Sequence, residues 1–138
     1  MQLETYLTFG GNCAAALEYY RATLGATDIQ LMTFKGSPME DEVPTEMHDK
    51  VMHGSFVLAG VRVMASDAMP GHPFDGIKGA TLSLSTTDPN EADKLFAILS
   101  ENGTVTMPLG ETFWAAKFGM LIDQFGVPWM VNCEAQKH

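Results

Sequence analysis

Basic side chains are scarce in this 138-residue sequence: eight Lys and Arg stand against seventeen Asp and Glu, a formal charge of -9. No Lys/Arg cluster offsets the balance, so a phosphate backbone is a poor partner and anionic membranes are disfavoured for the same electrostatic reason. Long apolar runs are missing as well. No stretch approaches the roughly 20 apolar residues that span a bilayer, and MQLETYLTF has no basic segment ahead of an apolar run, so no signal peptide is expected. Cysteine is limited to Cys13 and Cys133, far apart and in no metal or redox spacing. That pattern suits two reduced thiols in a cytoplasmic protein.

What remains is ordinary for a folded chain, with 46% apolar and 18% charged residues. The length fits one domain, or two small halves sharing a core. Leu3, Thr5, Leu7 and Phe9 alternate with Glu4, Tyr6 and Thr8, the pattern of a two-faced strand. Gly10-Gly11 breaks it, Asn12 is placed to cap a helix, and Cys13, Leu17, Tyr20 and Leu24 mark one helical face that stops at Gly25. Thr27 to Phe34 reads as a strand. The text from Lys35 to Lys50 is polar and acidic, the pattern of a mobile loop. Val51 to Ala59 and Val61 to Ala65 read as a strand pair turning at Gly60. A proline- and glycine-rich stretch from Asp67 follows as a linker or lid, in which Asp67 is placed to cap a turn before Pro70.

The second half then repeats the plan. Thr81, Ser83 and Ser85 alternate with Leu82 and Leu84 in a strand; Asp88, Pro89 and Glu91 form a helix start; Ala92, Leu95, Phe96 and Leu99 form its stripe; and Asn102-Gly103 ends it. Aligned without gaps, Leu7–Met32 and Leu82–Met107 share Leu7/Leu82, Ala22/Ala97, Leu24/Leu99 and Met32/Met107, and GVRVM at 60–64 is echoed by GVPWM at 126–130. The order of elements with these identities indicates an internal duplication of a βαβββ unit. The expected architecture is α+β: module one over about 1–66, a linker over 67–78 and module two over about 79–133. Two four-stranded sheets would pair edge to edge into a cup, with the helices on the outer face.

Three segments, YLTFGGNCAAALEYYRATLGA, MASDAMPG and ETFWAAKFGMLIDQFGVPWMVN, make the chain resemble the PhnB-like branch of the vicinal oxygen chelate superfamily, which includes glyoxalase I, bleomycin-resistance proteins and extradiol dioxygenases. The resemblance implies a single domain, a homodimer and one small-molecule pocket per cup. Some relatives carry methyltransferase labels, but this sequence has no glycine-rich cofactor loop to support one. In metal-dependent relatives, four inward strand positions hold one divalent ion. Carried over, they fall on Glu4, His53, Gly79 and Met130, so two of four ligands are missing and Glu4 and His53 remain as metal candidates. A catalytic zinc or nickel normally takes three protein ligands, and Asn132 is a weak substitute. The plainer alternatives are a solvated Glu4 and a hydrogen-bonded structural His53. His48 and His72 read as exposed loop histidines, and His138 is the terminus.

The aromatic stretch Glu111–Met130 carries the pocket candidates. Trp129 and Phe125 read as core. Trp114, Phe118, Met130 and Asn132, joined by Tyr6, Thr8, Thr81 and Ser83, read as ligand-binding. His53 or Glu111 would serve as acid or base if the protein is an enzyme. Two functions are therefore carried forward. One is small-molecule binding in the cup with metal-assisted catalysis of an unspecified reaction. The other is non-catalytic sequestration of a hydrophobic or cationic compound, for which an aromatic wall and acidic surface are suited.

Overall fold

The computed structural model describes residues 1–69 and 71–134, so the features assigned to Pro70 and His138 lie outside the described residues. The chain divides into two compact units, one spanning Met1–Gly76 and one from Ile77 onward. Both have the order β-α-β-β-β, giving an α+β fold of two helices and two four-stranded mixed sheets.

The first unit comprises β1 (Thr5–Phe9), α1 (Cys13–Leu24), β2 (Thr27–Thr33), β3 (Val51–Leu58) and β4 (Val61–Asp67). Its strands lie in the order β1-β4-β3-β2, with β1 and β4 parallel and the other pairs antiparallel. Burial alternates along the strands. Leu7, Phe9, Phe56, Val63 and Ala65 are buried together with Cys13, Ala16, Leu17 and Tyr20 of α1, and the Tyr20 and Phe56 rings pack at 5.6 Å. Burying this apolar stripe is the dominant favourable term in the unit's folding.

The helix start differs from the sequence expectation. Asn12 makes no side-chain cap, and its Oδ1 is buried without a partner. Asp67 takes the role instead: its Oδ1 accepts from the backbone N–H groups of Gly11 and Cys13 at 3.0 Å each, and its Oδ2 from Val51 at 2.9 Å. So Asp67 ends β4 and caps α1. At the other end Gly25 adopts φ 76°, the left-handed conformation that terminates a helix and that glycine reaches without strain.

The stretch read as a mobile loop is folded. Two short 3-10 turns, Glu40–Glu42 and Thr45–Met47, sit inside it, and Phe34 and Val43 are buried. The Phe34 and Lys35 N–H groups donate to the carbonyls of Lys50 and His48, His48 Nε2 lies 2.9 Å from the Glu40 carbonyl oxygen, and Lys50 Nζ donates to the Gly11 carbonyl at 3.0 Å. His48 is accordingly half-buried rather than free in solvent.

The second unit comprises β5 (Leu82–Thr86), α2 (Pro89–Ser100), β6 (Thr104–Gly110), β7 (Ala115–Ile122) and β8 (Pro128–Glu134), in the strand order β5-β8-β7-β6. Asp88 Oδ1 accepts from the Asn90 N–H at 2.9 Å with Pro89 next in sequence, the N-terminal signal legible beforehand. Ala92 and Leu99 of α2 are buried, as are Leu121, Trp129 and Val131 of the sheet. A Cβ at Gly119 would stand 2.7 Å from Phe96 and 2.9 Å from the Leu109 Cα, so the bare glycine lets α2 and β6 approach β7 closely. Trp129 is core: its Nε1 donates to Asp123 Oδ2 at 2.8 Å. Phe125 is only half-buried.

Candidate functional site: the open faces of the two sheets

Each sheet has one face under its helix, which leaves the opposite set of side chains on a second, open face. In the first unit, strand register groups them into rows. Tyr6 lies opposite Met64, Met64 opposite Ser55, and Ser55 opposite Gln30. In the next row Thr8 lies opposite Ser66, and His53 opposite Met32. Tyr6 and His53 bridge the rows, with ring centroids 5.9 Å apart. Tyr6 is 48% exposed and His53 and Thr8 are exposed, while Ser55 is buried, its Oγ accepting from Arg62 Nη1 at 3.2 Å. Glu4 precedes β1 and is exposed.

In the second unit, Ser83 lies opposite Met130, Met130 opposite Met120, and Met120 opposite Met107. Ser85 lies opposite Asn132, Asn132 opposite Phe118, and Phe118 opposite Gly110. Trp114, in the bend before β7, packs on Phe118 at 5.4 Å and on Phe113 at 4.7 Å. Trp114 is 50% exposed, and Phe118, Met130 and Asn132 are half-buried. The face therefore presents thioethers, an aromatic pair, an amide and two hydroxyls, a mixture that grips an organic molecule by apolar contact and orients it by a few hydrogen bonds.

The strand pairing refines the internal repeat. Met64 and Met130 end the echoed GVRVM and GVPWM; their partners in β1 and β5 are Tyr6 and Ser83. Tyr6 thus corresponds to Ser83 rather than Thr81, Thr8 to Ser85 rather than Ser83, and Glu4 to Thr81 rather than Gly79. The slide is an even number of residues, so every side chain keeps its face. Thr81 itself is exposed and stands just before β5. Ser55, Arg62 and Met107 are face residues that the sequence reading passed over, whereas alternation already put Ser85 with Ser83 and Met120 with Phe118. Only the pairing across strands, which alternation within a strand does not give, places them together.

His53 stands in the first unit, while Glu111 is exposed in the connection between β6 and β7 of the second. Among the described residues no group of three or more His, Cys, Asp or Glu side chains is placed to hold a metal ion.

The sequence profile of the family described as 3-demethylubiquinone-9 3-methyltransferase matches residues 1–132. The chain belongs to this PhnB-like family, within the vicinal oxygen chelate superfamily. Among its relatives, the protein YjdN of Escherichia coli K12 is 37% identical over 99% of this chain and 98% of its own length. The crystal structure of protein PA1353 from Pseudomonas aeruginosa is 46% identical, covers 99% of both chains and superposes with a TM-score of 0.87. The fosfomycin resistance protein FosX from Listeria monocytogenes, 7% identical over 98% of this chain and 94% of its own, shares the fold alone at a TM-score of 0.65. No helix among the described residues of this PhnB-like chain is long and apolar enough to cross a membrane.

Proposed function

We propose that this PhnB-like protein binds a small organic molecule on the open sheet faces. The observation that carries the proposal is the second unit's face, where Trp114 and Phe118 pack at 5.4 Å beside the in-register Asn132 and the row Ser83, Met130, Met120 and Met107. Contiguous exposed apolar side chains of this kind mark a binding surface. On the first unit, Tyr6, Thr8 and His53 offer the corresponding aromatic and polar contacts. Methyl transfer, the activity in the family's description, is not carried over, because the sequence has no glycine-rich loop for a methyl-donor cofactor. His53 and Glu111 are the side chains able to act as acid or base, and sequestration without chemistry is the second form of the same binding function. Cytoplasmic residence and a homodimer complete the proposal, supported by two free buried thiols and by exposed Leu3 and Val61.

Trp114 reports on this directly. Benzyl alcohol and benzyltrimethylammonium are expected to change the tryptophan emission saturably, and W114F should abolish the change, since Trp129 is buried and held by Asp123. Unaltered emission at saturating concentrations of both would count against the site.

A further inference from the structure

From the placement of one cation on the first unit's open face, we infer that the molecule bound there is an aromatic oxyanion, with Arg62 receiving the anionic group and the Tyr6–His53 pair receiving the ring. The inference rests on the open face being a ligand site, and adds the charge class of the ligand.

Arg62 follows Val61 in β4 and lies opposite Val57 of β3. It shares the strand face of Met64 and Ser66, two and four residues on, and so stands one row from Tyr6–Met64–Ser55, on the side away from His53. Its guanidinium donates to Ser55 Oγ at 3.2 Å, and Ser55 is only 5% exposed. A neutral hydroxyl fixes the stem of the guanidinium but leaves its charge uncompensated. Arg62 is exposed, so the rest of its fork faces the open side of the sheet. Arg21 is paired with Glu18 and Lys117 with Asp93, whereas Arg62 makes no ion pair among the described residues. Glu4 and Arg62 line one open hollow of about 400 Å³ with Gln2, Leu3, Gly60 and Val61, yet the two side chains are not joined.

A guanidinium offers a planar fork of N–H donors that matches the two oxygens of a carboxylate or phosphoryl group. Ser55 occupies one edge, and the rest of the fork is free to bind. Across Met64, the Tyr6 and His53 rings provide a wall for an aromatic body. The formal charge of -9 would by itself favour a cationic guest. At physiological ionic strength charges beyond about 8 Å are largely screened, so the charges lining the hollow decide: Arg62 favours the anion, and Glu4, in the same hollow, opposes it.

Binding of benzoate, phenyl phosphate, benzyl alcohol and benzylammonium to the full chain, followed by chemical shifts of the backbone amides of β1, β3 and β4, tests this. Benzoate or phenyl phosphate should bind more tightly than the alcohol and the ammonium. Whichever of the two anions is tighter identifies the oxyanion. R62Q should weaken anion binding at least about tenfold, the worth of a charge-assisted hydrogen-bond pair. R62K should lose less, and alcohol binding should be unchanged in both. Benzylammonium binding as well as benzoate, or R62Q leaving benzoate affinity intact, would overturn the inference while leaving the open-face site standing. No shift with any of the four probes would overturn the site itself. A thermal unfolding curve of R62Q matching the parent separates lost recognition from lost folding.

Discussion

Asp67 and Cys13 are joined across 54 residues of sequence, the carboxylate Oδ1 accepting the Cys13 backbone N–H at 3.0 Å. The bond fastens the end of β4 to the first turn of α1. With Gly11 and Val51 as further donors, one 3%-exposed carboxylate satisfies three backbone groups. D67N places an amide N–H against at least one of those donors. It should lower stability by about 2–4 kcal/mol, seen as a reduced urea midpoint with an unchanged slope. A loss below about 0.5 kcal/mol would contradict the capping role.

The same contact affects the thiol. Burial, and then the Asp67 charge, push the Cys13 thiol up from 9.0 to about 12. The folded chain thus holds this proton where the unfolded chain releases it. Stability is full below about pH 9 and falls as pH rises through the window up to about 12, by about 1.4 kcal/mol per unit. Unfolding midpoints measured across that range should flatten in C13A. Both thiols are buried, so thiol reagents at pH 8 should label neither until the chain unfolds.

Gly119 is where α2 and β6 close on β7. A methyl group there meets Phe96 at 2.7 Å and the Leu109 backbone at 2.9 Å. G119A should cost about 1–3 kcal/mol through overpacking, measured by denaturant unfolding. Gly25→Ala, with nothing within 4 Å of its Cβ, isolates the cost of a left-handed backbone alone.

Metal content is a separate matter. Glu4 and His53 supply two ligands at most, and no cluster of three ligating side chains forms among the described residues. Protein purified without a chelating tag should contain well under one equivalent of divalent metal, unchanged in H53A. Near-stoichiometric metal that H53A removes would make His53 a ligand and restore metal-assisted chemistry.

Much of this was legible beforehand. Alternation in Leu7-Thr8-Phe9 and in Trp129-Met130-Val131 assigned faces correctly because strand parity is a local property. The α2 start was readable for the same reason, since Asp88 and Asn90 are neighbours. The α1 cap was not, because its acceptor comes from Asp67, far along the chain. Nor was the folding of residues 35–50, where backbone bonds such as Lys35 to His48 organise a stretch whose composition resembles a solvated loop. The open faces were half-legible. Tyr6, Phe118 and Met130 were placed by parity. The rows joining Ser55 to Met64, or Met107 to Met120, depend on pairing register, which a two-residue slide alters without changing any hydrophobic pattern.

The most direct test of the open faces as binding surfaces uses the ten methionine methyl groups as probes. With methyl-labelled protein titrated with benzyl alcohol and benzoate, the resonances of Met107, Met120 and Met130 on one unit's face, and of Met32 and Met64 on the other's, should move saturably. Shifts confined to methionines away from those rows, or none at saturation, would contradict the account.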